Sequence, residues 1–201
     1  MILAFDGSSI DGSVYESVVH RAEHVPAWLD DTVTAWSTFG LVAFAVLMSV
    51  CWWRARRTDA AAAVNALAVP VVAVLAYGVD MALKSVVRED RPCQSLRVRT
   101  LEACPAPGDW SFPSNHMAIA TASAAALVFV TRRVGAIAAV AALLMGVSRV
   151  WVGAHYPHDV LAGAVVGVVV ATGAMLVVRR HARALARWLT RRRLTSLLSA
   201  A

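Results

Sequence analysis

Residues Ala60 to Val87 read AAAAVNALAVPVVAVLAYGVDMALKSVV, and the reading of this run decides the fold. It is long and apolar enough to carry a helix across about 30 Å of hydrocarbon. Four further blocks have the same character: Thr32 to Trp53, Ser114 to Thr131, Val134 to Trp151, and His158 to Val178. The Ser114 and Val134 blocks are near the lower limit for a span, about 17 to 25 residues. Both are rich in Ala and Val and suit helices packed among neighbours. One such block is compatible with a buried helix of a soluble domain; five together are not. The whole chain of 201 residues is 59% hydrophobic, with a mean hydropathy of +0.61, whereas soluble domains lie nearer half apolar. The expectation is an all-α integral membrane protein, a bundle of about five transmembrane helices with short interfacial helices at both termini. It forms a single domain: an N-terminal segment 1–31, a transmembrane core 32–178 and a basic tail 179–201. No internal repeat, low-complexity linker or second domain interrupts it.

The net charge of +6 raises nucleic acid as a partner, but the distribution of charge argues against it. Arg54, Arg56 and Arg57 follow the first span, Arg132 and Arg133 join the third to the fourth, and seven more arginines lie from Arg179 to Arg193. With five crossings all twelve fall on one side, and short basic loops mark the cytoplasmic face. The opening thirty-one residues are acidic, with Asp6, Asp11, Glu16, Glu23, Asp30 and Asp31 against Arg21, and lack the basic start of a signal peptide. The N-terminus is thus expected outside and the C-terminus in the cytoplasm of a cell that keeps this protein in its plasma membrane. Val14 to Ala27 reads as a short amphipathic helix at the interface. The tail from Arg179 to Ala201 reads as a basic amphipathic helix resting on anionic headgroups.

Three polar clusters end the apolar runs: Lys84 with Arg91-Pro92; Pro113-Ser114-Asn115-His116; and Ser148-Arg149 with His155 and Asp159. On the arginine-derived topology all three face outside. They bring three fixed cations, two imidazoles and one carboxylate, the inventory for holding and cleaving a phosphate without a metal. Planar guanidinium forks match phosphate oxygens, and Lys84 adds a point charge. Such charges are costly beside a bilayer, which marks them as functional. Pro113 and Ser114 read as a helix start whose free amides and dipole favour an anion, with serine or asparagine as the cap. Asp80 lies one turn before Lys84, where it neutralises or orients the lysine. Arg88 lies one turn beyond and is the candidate contact for a second phosphate. A carboxylate at Asp159 would fix the tautomer of His155, but the residues alone do not decide which histidine attacks.

In order and in spacing these motifs resemble the three-part signature of the type-2 phosphatidic acid phosphatase superfamily, which includes lipid phosphatases and vanadium haloperoxidases. The resemblance covers residues 84 to 159. It implies that His155 is the nucleophile and forms a phosphohistidine, that Asp159 orients it, and that His116 is first general acid and then general base. It implies that Lys84, Arg91, Ser114, Asn115 and Arg149 hold the phosphate. The family usually has glycine at the position of Asn115, which questions any backbone geometry that glycine alone reaches. Five apolar spans do not suit a soluble haloperoxidase. The acidic N-terminus, Ala-Trp-Leu-Asp-Asp before the first span and the short chain look most like bacterial undecaprenyl-diphosphate phosphatases. Phosphatidylglycerophosphate, phosphatidic acid and a polyprenyl phosphosugar are the other substrates compatible with the motifs, and a non-catalytic lipid-binding protein is the distant alternative.

A metal is not expected at the motifs, because three cations there would repel it, nor is a cofactor. The expected partners are a lipid phosphate or diphosphate and the bilayer, without nucleic acid or an obligate protein partner. His158 reads as a surface or capping residue, and His20, His24 and His181 lie outside the motifs. Cys51 falls in the first span as a packing residue. Cys93 and Cys104 fall in the external loop, in an oxidising compartment, and are candidates for a disulfide.

Overall fold

A computed structural model of the chain describes residues 5–96, 98–192 and 194–199. Within them seven helices follow one another: α1 (Ser8–Ala22), α2 (Ala27–Ala55), α3 (Ala60–Val87), α4 (Pro92–Ser95), α5 (Asn115–Val130), α6 (Arg132–Trp151) and α7 (Pro157–Arg191). Local chemistry sets several boundaries. The Asp59 carboxylate accepts the Ala62 amide at 2.8 Å and caps α3. At the other end Arg88 turns into the left-handed region, with φ 54°, and stops the helix four residues past Lys84.

Helices α2, α3, α6 and α7 are each long and apolar enough to cross a membrane; α5, with 16 residues, is shorter. The reason α5 can be short lies in its surroundings. It packs against α3, α6 and α7, and Ala118, Ala120, Ala122, Ala124, Ala126 and Leu127 are all buried. Walled in by protein, it has little lipid thickness to match. Phe39, Val42, Val71, Leu143, Leu161 and Val165, by contrast, are exposed on the outer helices. Apolar side chains on that scale belong in hydrocarbon, and the chain is a multi-pass membrane protein.

Both termini differ from expectation. The N-terminal helix begins at Ser8, not Val14, and docks on the bundle: Tyr15 and Val19 pack with Met117, Val150, Tyr156 and Val160. It kinks at Asp11, where φ is −144°. The basic tail is not a separate surface helix, because α7 runs without a break from Pro157 to Arg191. The chain then folds back, so that Leu198 is buried with Ala63, Val64, Ala182 and Ala186, and the Trp52 indole donates to the Leu197 carbonyl at 3.0 Å. Arg193, Ala200 and Ala201 lie outside the described residues.

Candidate active site

The α3–α5 connection and the α6–α7 loop meet at one end of the bundle. Gly153, at φ 84°, makes the meeting possible, since a Cβ there would collide with the Thr100 side chain. The Tyr15 hydroxyl donates to the Gly153 carbonyl at 2.9 Å, which fixes α1 over the same loop. Cys93 and Cys104 are joined in a disulfide, Cα atoms 5.9 Å apart, at the rim.

The three motif cations are 5% (Lys84), 7% (Arg91) and 4% (Arg149) exposed. Lys84 Nζ donates to the carbonyls of Trp110, at 2.9 Å, and Ser111, at 3.2 Å. Arg91 donates to the Asp109 carbonyl at 3.0 Å, to its carboxylate at 2.9 Å, and to the Ala154 carbonyl at 3.0 Å. Arg149 donates to Ser37 Oγ at 2.7 Å and to the Glu102 carboxylate at 2.9 and 3.4 Å. Each guanidinium is thus aimed by fixed acceptors. Arg149 Nε, Ser114 Oγ and Asn115 Oδ1 are buried and have no hydrogen-bond partner. Buried polar groups are normally satisfied, and two of these three can donate to phosphate oxygens.

His155 is 2% exposed. Its Nδ1 lies 3.4 Å from Asp159 Oδ2 and 3.4 Å from Ser111 Oγ. Ser111 donates a short hydrogen bond to the same carboxylate oxygen, and the Tyr156 amide donates to it at 2.9 Å. Asp159, which accepts from Ser111 and the Tyr156 amide, faces the imidazole at Nδ1 and leaves Nε2 clear of the carboxylate. Burial, and then the charges of Arg149, Arg91 and Lys84, push the His155 pKa well below its ordinary 6.5. His116, in the first turn of α5, adds a smaller effect of the same sign. All the motif cations and both histidines therefore act on one point.

Several details differ from the sequence reading. Ser114 stands at the N-cap of α5, but its side chain makes no capping bond; its hydroxyl is left for another partner. Asn115 is helical, and among the described non-glycine residues only Arg88 has positive φ, so this position does not need glycine. Asp80 does not pair with Lys84: it is 0% exposed, and neither carboxylate oxygen has a partner. The lysine is drawn away by the two loop carbonyls. Arg88 donates to the Ser85 carbonyl at 2.9 Å and lines a cavity of about 230 Å³ with Lys84, Asp109 and Trp110. His158 is neither a surface residue nor idle. It lies 2.8 Å from Asp11 Oδ1 and 2.8 Å from Glu89 Oε1, and stacks on Tyr156 at 5.3 Å.

Ser111, Glu102, Asp109 and the Asp11–His158–Glu89 chain were not identified from sequence. The signal for Ser111 was its place just before Phe112-Pro113-Ser114. For Glu102 and Asp109 it was two acids in a loop that must face two arginines.

Comparison with known proteins bears on this arrangement. The model of the PAP2 superfamily matches residues 62–183. Undecaprenyl-diphosphatase BcrC of Bacillus subtilis is 30% identical over 152 residues, 76% of each chain. Decaprenylphosphoryl-5-phosphoribose phosphatase of Mycolicibacterium smegmatis is 39% identical over 102 residues, 48% of this chain and 51% of that protein. The crystal structure of Aquifex aeolicus LpxE superposes with a TM-score of 0.64, at 22% identity, over 86% of this chain and 99% of that one. The family match contains every motif residue from Lys84 to Asp159, and the chain belongs to the PAP2 superfamily, as a membrane lipid phosphatase.

Proposed function

We propose that this protein removes the terminal phosphate of a polyprenyl diphosphate by a metal-independent double displacement. The observation that carries the reading is His155, buried and oriented by Asp159, under the joint charge of Lys84, Arg91 and Arg149. His155 Nε2 attacks the terminal phosphorus, and the bond from that phosphorus to the bridging oxygen breaks. His116 donates its proton to the departing polyprenyl monophosphate. Among the described residues the His116 ring makes no hydrogen bond, which suits a group that must meet a leaving oxygen. His116 then takes a proton from water, whose oxygen attacks the phosphohistidine, and phosphate leaves with His155 restored. Lys84, Arg91, Arg149, Ser114 and Asn115 surround the transferring group. Arg88, beside its own cavity, meets the second phosphate.

The diphosphate assignment draws on the resemblance to undecaprenyl-diphosphatase BcrC over three quarters of the chain. The mycobacterial relative supports a second reading, a polyprenyl phosphosugar monoester. The arginine-rich end is assigned to the cytoplasm of the cell membrane, which places the site outside, where a carrier lipid is recycled for cell-wall synthesis. The test is phosphate release by purified protein in detergent with EDTA. The panel is undecaprenyl diphosphate, undecaprenyl monophosphate, a polyprenyl phosphosugar, phosphatidylglycerophosphate and phosphatidic acid. The expected result is the highest kcat/KM on the diphosphate, undiminished by chelation. Preference for the phosphosugar would establish the second reading, and strict dependence on magnesium or zinc would overturn the mechanism.

A further inference from the structure

The C-terminal end of α1 and the turn that follows it carry a cluster that the phosphatase chemistry does not use. His20 lies in the last turn of α1, Glu23 is its C-cap and His24 follows in the turn beyond; the turn brings the three side chains together, with His20 Nδ1 3.4 Å from Glu23 Oε2 and the two imidazole rings 4.5 Å apart. Each offers one ligand atom, and these atoms lie within 4.8 Å of one another. A zinc ion about 2.0 to 2.2 Å from each donor needs them roughly 3 to 3.5 Å apart. The imidazole of His20 is 71% exposed and the carboxylate of Glu23 41%, so small side-chain rotations close the difference. The His24 tautomer is already set: Nδ1 lies 2.7 Å from the His20 carbonyl, must donate to it, and leaves Nε2 to bind. A second bond of this kind is what metal-ligating histidines use to fix ring and proton.

The electrostatic surroundings agree. The helix end bears partial negative charge, which favours a cation. Two cavities flank the cluster. One, of about 520 Å³, is lined by Glu23, His24, Asp30 and Arg99, and the other by Glu16, His20, Glu23 and Arg99. Three carboxylates therefore face one guanidinium, the reverse of the balance at His155, where cations crowd the centre. We propose that His20, Glu23 and His24 form a site for a divalent transition metal of the zinc type, at the seam between α1, the start of α2 and the loop at Arg99 and Thr100. Two imidazoles and one carboxylate fit that class and not magnesium or calcium, which take oxygen ligands. The site is separate from the reaction.

The test uses the full-length protein without a histidine tag, stripped with EDTA, dialysed and titrated with Zn²⁺ by calorimetry. One site per chain is expected. His20→Asn or His24→Asn should weaken it at least tenfold, Glu23→Gln several-fold, and the double asparagine variant should abolish it. With Cu²⁺ as probe, electron paramagnetic resonance should show nitrogen coupling that the double variant loses. Phosphate release in EDTA should be unchanged in all variants, which certifies that they fold. No saturable binding by the wild type, or a double variant that binds within twofold of it, would overturn the assignment.

Discussion

Lys84, Arg91 and Arg149 at the mouth are almost wholly buried, and each is held by two or more carbonyl, hydroxyl or carboxylate oxygens. At the opposite end Arg54, Arg57, Arg132, Arg133, Arg179, Arg180, Arg183, Arg187, Arg191 and Arg192 are exposed, and Arg56 is half-buried against Trp53, its guanidinium 3.9 Å from the ring centre. The same chemical group serves two purposes. Where protein acceptors replace water, a cation is fixed in direction and acts strongly on whatever meets it. Where water solvates it, it anchors the chain at a surface and has no preferred direction.

The sharpest way to break this contrast is to remove the group the buried cations act upon. His155→Ala should lower turnover by about 10³-fold or more, because no neighbour can form the covalent intermediate; retention of more than a few per cent of wild-type activity would end the double-displacement scheme. Next come the cations themselves. Arg149→Ala should cost about 10²- to 10³-fold in kcat/KM, the roughly 2.7 to 4 kcal/mol lost when one preorganised donor to developing charge is removed. Arg132→Ala and Arg187→Ala should leave it within about twofold, as expected for solvated charges. Equal losses at the two ends, measured in the same detergent, would erase the distinction.

Arg88 lies between the two regimes, half-buried, with its guanidinium bonded, among the described residues, only to the Ser85 carbonyl of its own helix. Arg88→Ala should lower kcat/KM about ten- to a hundredfold on diphosphates, the value of a charge-assisted contact, and little on monophosphates. Equal losses on both substrates would make it a general phosphate ligand. The smallest effect concerns pH. With His155 pushed below its ordinary value, the neutral imidazole persists under pH 6.5, so the rate should hold there and fall only as pH drops through the lowered value. Arg149→Gln removes one cation that opposes protonation. The His155 value then rises, and the acid limb of kcat moves to higher pH, by less than about one unit. A limb that moved the other way would mean that a different group controls it.

The spans and the motif positions were legible because both are local. An apolar run such as Ala60–Val87 declares its helix by length, and Lys84 to Arg91 or His155 to Asp159 lie within two turns of each other. Ser111 was not legible, since its bond to Asp159 links residues 48 positions apart. The Glu102–Arg149 pair, across 47 positions, and the Asp11–His158 pair, across 147, depend equally on how loops close. Asp80 shows the converse. Its helical spacing to Lys84 was correct, yet Trp110 and Ser111 offered the lysine nearer acceptors. Proximity along a helix proposes partners, and tertiary competition selects them.

Helix α7 is also a ruler. Asp159 lies in its first turn, and the arginine collar begins at Arg179. Twenty residues at 1.5 Å each separate them, about 30 Å, which equals the hydrocarbon thickness of an ordinary bilayer. With the collar seated at one boundary, the carboxylate that orients His155 stands level with the other, at the height where a lipid presents its first phosphate. A thicker bilayer would draw the mouth under the headgroup plane, and a thinner one would lift it clear. On the orientation proposed above, one unbroken rod would set the depth of the His155–Asp159 pair in the membrane.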